Sequence, residues 1–152
     1  METTKTEKII RTVREDQTFY GFDSRTKVTK SSDAEEFLRP FFTDIDEVES
    51  FHLLVLTRAH TIISHKLISL GGVSGTVADP KIIFRFALSV KGGAGIIVAH
   101  NHPSGNLTAS QSDIDLTKKV KEGGRILDMP LLDHLILTPN NRYVSLADQG
   151  LF

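Results

Sequence analysis

Two histidines, a serine and an aspartate stand close together as His100, His102, Ser110 and Asp113. The stretch reads His-x-His, seven residues, Ser, two residues, Asp. Imidazole nitrogens and carboxylate oxygens are zinc donors, and two imidazoles with one carboxylate leave the fourth tetrahedral position to water. An open position marks a catalytic centre and not a structural one. A chance His-x-His pair arises in roughly one chain in four or five of this composition, and fixing Ser and Asp at these offsets lowers the odds to on the order of one in a thousand. Each histidine alone is more simply explained as a hydrogen-bonded ring, so the constellation carries the argument.

Hydrolysis at such a centre needs a further group. Zinc brings the pKa of a bound water to about 7, but a carboxylate outside the ligand set must take the proton and pass it to the leaving amine. Nothing within residues 100–113 supplies it, so the base must come from elsewhere in the chain.

The elements that position these residues follow from local pattern. His100 and His102 stand at i and i+2, and on an extended backbone both rings project to one side. They follow Gly95–Ala99 (GIIVA), a continuous apolar run that predicts a central strand buried on both faces. Pro103-Ser-Gly-Asn106 reverses the chain. Ser110 then fits a helix N-cap with Asp113 at N3, the spacing of a capping box, where the helix N-terminus favours an ionised carboxylate. That helix is predicted to run from about Ser110 to Glu122 and to stop at Gly123-Gly124.

Upstream, Ser32-Asp-Ala-Glu35 predicts a capping box and a helix to about Phe41, with Phe37, Leu38 and Phe41 as its apolar stripe. Phe51–Leu56 and Thr61–Leu70 read as strands joined by a turn near Arg58–His60. Gly71-Gly-Val-Ser-Gly75 lacks the Gly-Lys-Ser/Thr ending of a phosphate-binding loop and reads as a turn or bulge. Asp79 caps a helix with Pro80 at its first position, carrying Ile82, Ile83, Phe86, Ala87 and Val90 and stopped by Gly92-Gly93. Leu131–Leu137 and Tyr143–Leu146 close the chain as strands around a Pro139-Asn-Asn141 turn. The order α-β-β-α-β-α-β-β predicts an α/β protein: a single mixed β-sheet flanked by helices. Residues 1–30 read as an N-terminal extension with one edge strand from the alternation at Thr18, Tyr20 and Phe22, and residues 31–152 as the domain.

The 152 residues fit one domain with a single core. A net charge of −1 gives no global electrostatic case for nucleic-acid binding. The acidic stretch from Asp33 to Glu49 reads as a solvated face. With no cysteine the chain has no disulfide, no thiol nucleophile and no Cys-containing zinc site. METTKTEKIIRTVRED shows no apolar signal segment, and no apolar run is long enough to span a bilayer. The expectation is a cytoplasmic protein without membrane contact.

The His-x-His-x7-Ser-x2-Asp pattern with an upstream Glu resembles that of the JAMM (MPN+) metalloproteases. The surrounding AHNHPSGNLTASQSD, LTKKVKEGGRILDMPLLDHLIL, YVSLADQGLF and GGVSGTVADPKIIFRFAL resemble the bacterial RadC-like branch, over about residues 31–152. The resemblance implies the JAB/MPN architecture, which is cytidine-deaminase-like, and a Zn2+ cofactor held by His100, His102 and Asp113. It implies Glu49, in VESFHLLVL, as general base, with Glu47 its neighbouring competitor, and Ser110 as the residue that steadies the oxyanion. It further implies a peptide or protein substrate, including an isopeptide conjugate. The chain departs from the family in having Ala109 before Ser110, where Pro is common, and Thr57 where Asp or Asn is common.

Other readings are weaker. The letters His-Asn-His do not make an HNH nuclease, whose residues are not contiguous, and zinc deaminases need a Pro-Cys-x-x-Cys element that this chain lacks. Lys118, Lys119 and Lys121 read as a solvated helix face. His134, in an apolar strand, reads as a hydrogen-bonded core histidine before it reads as a neighbour of the metal. His52, His60 and His65 read as surface or strand residues. The alternative from a different class is a non-catalytic or DNA-repair-associated accessory module that keeps the metal site.

Overall fold

A computed structural model describes residues 26–71 and 78–152. The edge strand expected around Thr18–Phe22 and nearly all of the glycine turn at 71–75 lie outside the described residues. Helix α1 (Ser31–Leu38) passes into a 3-10 turn at Arg39–Phe41. Then follow β1 (Ser50–Leu56), β2 (Ile62–Leu70), α2 (Pro80–Ser89), β3 (Gly95–Asn101), α3 (Gln111–Ile126), β4 (Leu131–Leu137) and β5 (Tyr143–Ser145). The strands form one mixed sheet in the order β2-β1-β3-β4-β5, parallel between β3 and β4 and antiparallel elsewhere. This is the α/β architecture expected of the pattern.

Strand parity divides the core. Leu54 and Leu56 of β1, Ile97 and Ala99 of β3, and Leu135 and Leu137 of β4 pack with Phe37, Leu38, Phe41 and Phe42 beneath α1. Phe51, Leu53, Val55, Ile96 and Val98 face the other way, onto Ile83, Phe84 and Ala87 of α2 and Val120 of α3. Every residue of β1 and β3 is buried, as expected for interior strands covered on both faces. Arg39 locks the first layer to the far edge by donating to the carbonyls of Thr138 and Arg142.

Several local expectations are corrected. Helix α1 begins two residues early, with Lys30 as N-cap, and its cap is the Asp33 carboxylate, which accepts from Thr29 N and Lys30 N, in place of a Ser32–Glu35 pair. In α2, Asp79 and Pro80 start the helix as expected, but Phe84 belongs to the buried stripe and Ile82 faces outward. The glycines at 123 and 124 do not end α3, which continues to Ile126. A Cβ on Gly124 would lie 2.4 Å from the Met129 carbonyl oxygen, and one on Gly123 would lie 2.8 Å from the Phe84 ring. Both glycines are therefore close-approach points where α3 packs on α2 and on the chain entering β4. β5 ends at Ser145, one residue short of the expected boundary.

Candidate metal centre

The site forms where β3 runs out. Residues 96, 98 and 100 share the α3 face of the sheet, and His102 follows on the same side after the strand end. A bond from His102 N–H to the Leu137 carbonyl (2.9 Å) continues the β3–β4 pairing to that residue. Asp113 comes from the first turn of α3. Ser110 Oγ accepts the Asp113 N–H at 3.0 Å, while the Asp113 carboxylate accepts the Ser110 N–H at 2.8 Å. This reciprocal capping box holds the carboxylate in one rotamer, as the spacing predicted.

Three donor groups meet. His100 Nε2 and His102 Nε2 lie 3.1 Å apart, and each faces one carboxylate oxygen of Asp113, at 3.2 and 3.3 Å respectively. For metal bonds of 2.0–2.1 Å a tetrahedron has edges of about 3.3 Å. Each separation is close to such an edge, and the two histidines face different oxygens of the one carboxylate.

The hydrogen bonds behind the ligands decide which nitrogen carries a proton. Thr117 Oγ1 donates to the Asp113 carbonyl at 2.5 Å, so toward His134 Nδ1, 2.6 Å away, it can only accept. His134 thus bears its proton on Nδ1, and burial, the largest influence, holds it well below the ordinary imidazole range and neutral. Its Nε2 must accept from His100 Nδ1 at 2.8 Å. His102 Nδ1 donates to the Asn106 carbonyl at 2.6 Å. With Nδ1 as the donor, each ring in its singly protonated form aims its Nε2 lone pair at a carboxylate oxygen. Acceptors converging at such distances are relieved by a positive charge between them, a proton or a metal cation.

Charge tells the same story. Burial opposes ionisation of Asp113, but the neighbouring His100 and His102 rings and the Ser110 N–H outweigh it and hold the carboxyl well below the usual carboxylate range. The Asp113 carboxylate in turn raises His102 above the ordinary imidazole value, with smaller contributions from the Asn106 carbonyl and Glu49.

Glu49 arrives from the residue before β1. In the antiparallel β1–β3 register Phe51 sits opposite His100, so continuing the count sets Ser50 against Asn101 and Glu49 against His102. Odd positions of β1 face α3, which puts Glu49 on the ligand side. Its carboxylate and the two imidazoles offer donor atoms within 4.8 Å of one another. The structure brings Glu49, not Glu47, into this group. The Phe51 ring stacks on His100, with centroids 5.9 Å apart and planes within 8°, and seals the buried side of the ligand.

Two features go further than the sequence reading. His134 is a buried, hydrogen-bonded core histidine as expected, and its partner is His100. His52 and His65 are strand residues, one of the two readings offered, and they form a buried pair, His52 Nδ1 to His65 Nε2 at 2.9 Å, with His65 stacked 3.8 Å from the Phe41 ring. His60 is exposed at the β1–β2 turn, and Lys118, Lys119 and Lys121 are exposed on α3, as expected. Among the described residues, no helix is long and apolar enough to cross a membrane.

Comparison with known proteins matches the sequence to a family. The family model described as "RadC-like JAB domain" matches residues 28–151. A UPF0758 protein of Flavobacterium johnsoniae is 41% identical over 126 residues, covering 83% of this chain and 54% of the relative. One from Porphyromonas gingivalis is 42% identical over 127 residues, 84% of this chain and 55% of the relative. A third, from Staphylococcus aureus, is 37% identical over 130 residues, 86% of this chain and 56% of the relative. The chain thus spans just over half the length of these curated relatives. With the mixed sheet, the histidine pair at the end of β3 and the match across nearly all the described residues, the chain belongs to the RadC-like JAB domain family.

Proposed function

We propose that this domain is a zinc-dependent metallopeptidase of JAMM type that hydrolyses a peptide or isopeptide bond in a peptide or protein substrate. The observation that carries this reading is the convergence of two bare Nε2 lone pairs and the Asp113 carboxylate at tetrahedral-edge separations, with Glu49 beside them. His100, His102 and Asp113 would hold the ion. Bound zinc supplies Lewis acidity and lowers the pKa of a water to about 7.

The chain's own residues do the rest. Glu49, outside the ligand set, takes the proton of the attacking water and delivers it to the departing amine nitrogen as the C–N bond breaks. Ser110 Oγ, whose oxygen accepts from the Asp113 N–H, turns its own O–H toward the oxyanion that develops on the substrate carbonyl. Phe51 and the buried His134–Thr117 pair keep water from the back of the ligands.

The test is turnover of a library of quenched fluorogenic peptides and a lysine ε-linked isopeptide by chelator-stripped protein given one equivalent of zinc. The expected result is cleavage that depends on zinc and is lost in Glu49→Gln, with zinc content unchanged. A zinc-loaded wild type that cleaves none of these would overturn the hydrolase reading and leave a metal-keeping accessory module.

A further inference from the structure

The residue between the two histidines projects to the opposite face of the sheet. Asn101 is fully buried there, and its amide is committed in three directions. Its Nδ2 donates to the carbonyls of Ile45 and Val48, both at 2.9 Å, and its Oδ1 accepts the Ser50 N–H at 2.8 Å. Those partners bracket Glu49 on both sides. The segment 44–49 lies outside any helix or strand; its backbone is tied by the Glu47 and Val48 N–H groups to the Asp44 carbonyl and by the Gly71 N–H to the Glu49 carbonyl at 2.7 Å, and Asn101 is the side chain that holds it to β3. Ser50 is further anchored through its hydroxyl, 3.0 Å from His52 Nε2, to the buried His52–His65 pair.

We infer that Asn101 is a positioning residue for Glu49: the side chain between the metal-binding histidines clamps the Ile45–Ser50 segment and so couples the placement of the general base to the placement of the ligands. This rests on the hydrolase reading above, but the clamp itself is a matter of geometry. Alternation along β3 makes the arrangement compact. Even positions turn the imidazoles toward α3 and the intervening odd position turns an amide toward the loop, so one tripeptide sets both sides of the reaction. Asparagine suits the task because one planar amide both donates twice and accepts, matching two carbonyls and one N–H that would otherwise be buried unpaired. Aspartate keeps the acceptor for Ser50 but opposes two carbonyl oxygens, and serine is too short to span them.

The experiment pairs Asn101→Ala and the milder Asn101→Ser with Glu49→Gln. It measures zinc affinity, hydrogen exchange at the Ser50 amide, turnover of the peptide library, and the Glu49 position in zinc-loaded crystals. In Asn101→Ala and Asn101→Ser the Ser50 amide should exchange faster and the Glu49 carboxylate should shift from the histidine pair, while zinc affinity stays within about threefold. The kcat should fall roughly tenfold to a hundredfold with KM little changed, the loss expected when a reacting group is misplaced by about 1 Å. Glu49→Gln, in which cleavage is lost, sets the floor, and the Asn101 variants should stay above it because they displace the base without removing it. A role in general stability predicts instead faster exchange throughout the domain and a loss of zinc affinity alongside turnover. That result, or unchanged Ser50 exchange with an unmoved Glu49, overturns the inference. If the zinc-loaded wild type cleaves nothing, the hydrolase reading falls alone, and Ser50 exchange together with the Glu49 position still decides whether Asn101 is the clamp.

Discussion

His134 accepts a hydrogen bond from His100 Nδ1 at 2.8 Å, and that bond decides which nitrogen of His100 faces Asp113. The chain of contacts then closes on itself through Thr117 to the carbonyl of Asp113, so two candidate ligands from different elements share one buried support. Such partners orient a metal-binding imidazole and raise its basicity, and their loss costs about 10- to 100-fold in metal affinity. His134→Phe should therefore weaken zinc binding within that range while the fold persists. Competition titration against a chromogenic chelator measures it, and an unchanged affinity would remove His134 from the metal centre.

Thr117→Val makes a sharper version of the same argument. It deletes the acceptor that holds the His134 proton on Nδ1 and nearly preserves volume. Freed of that constraint, His134 can carry its proton on Nε2 and turn it toward His100. A several-fold loss of zinc affinity is expected, smaller than for His134→Phe, because the ring itself remains. Isothermal titration of the two variants side by side orders the effects, and a larger loss in Thr117→Val would contradict the tautomer assignment.

The glycines of α3 predict a stability effect. Gly124→Ala forces a Cβ to within 2.4 Å of the Met129 carbonyl, a backbone atom that cannot step aside without moving the entry to β4. The cost should be about 1–3 kcal/mol, as for overpacking a close core, despite alanine's better helix propensity. Urea unfolding of the variant measures it, and a stabilised protein would show that the close approach relaxes freely.

Acid sensitivity should come in part from the His52–His65 pair. Burial lowers His52 to about 3, and burial with the neighbouring His52 and Lys66 pushes His65 well below the ordinary range. Between the unfolded value near 6.5 and these folded values the unfolded chain binds more protons, so stability rises with pH and is lost as pH falls below about 6.5. Each histidine contributes up to about 1.4 kcal/mol per pH unit in that window. His65→Phe keeps an aromatic ring against Phe41 and removes one titrating group. Its stability, measured by urea unfolding from about pH 7 to about pH 5, should decline less steeply than that of the wild type, by about one proton's slope. Equal slopes would contradict the burial argument.

Much of the site was legible in the chain because its geometry is local. His100 and His102 share a face by strand parity, and Ser110 and Asp113 share a helix turn, so spacing alone assigns them. Glu49 lies fifty residues away and came into view through family resemblance; the β1–β3 register explains its place opposite His102. The partners of His134, read from the sequence as a core histidine first and a neighbour of the metal second, and the role of Asn101 were out of reach for the same physical reason. Their partners are chosen by the parallel alignment of β3 with β4 and by a loop folded over the sheet end, and neither is written in local periodicity. Gly123 and Gly124 misled in the opposite sense. As local signals they stop a helix, but here tertiary close approach is what requires them. His52 and His65, separated by a hairpin, likewise pair only once β1 and β2 align.

The central claim is a tetrahedral cation site with three protein donors and one open position. Zinc K-edge absorption on the one-to-one complex tests it directly. The expected result is four nitrogen and oxygen neighbours at about 2.0–2.1 Å, two of them imidazole, with one imidazole lost in His102→Ala and binding abolished in Asp113→Ala. A spectrum of six oxygen neighbours, or zinc binding that survives both substitutions unchanged, would contradict it.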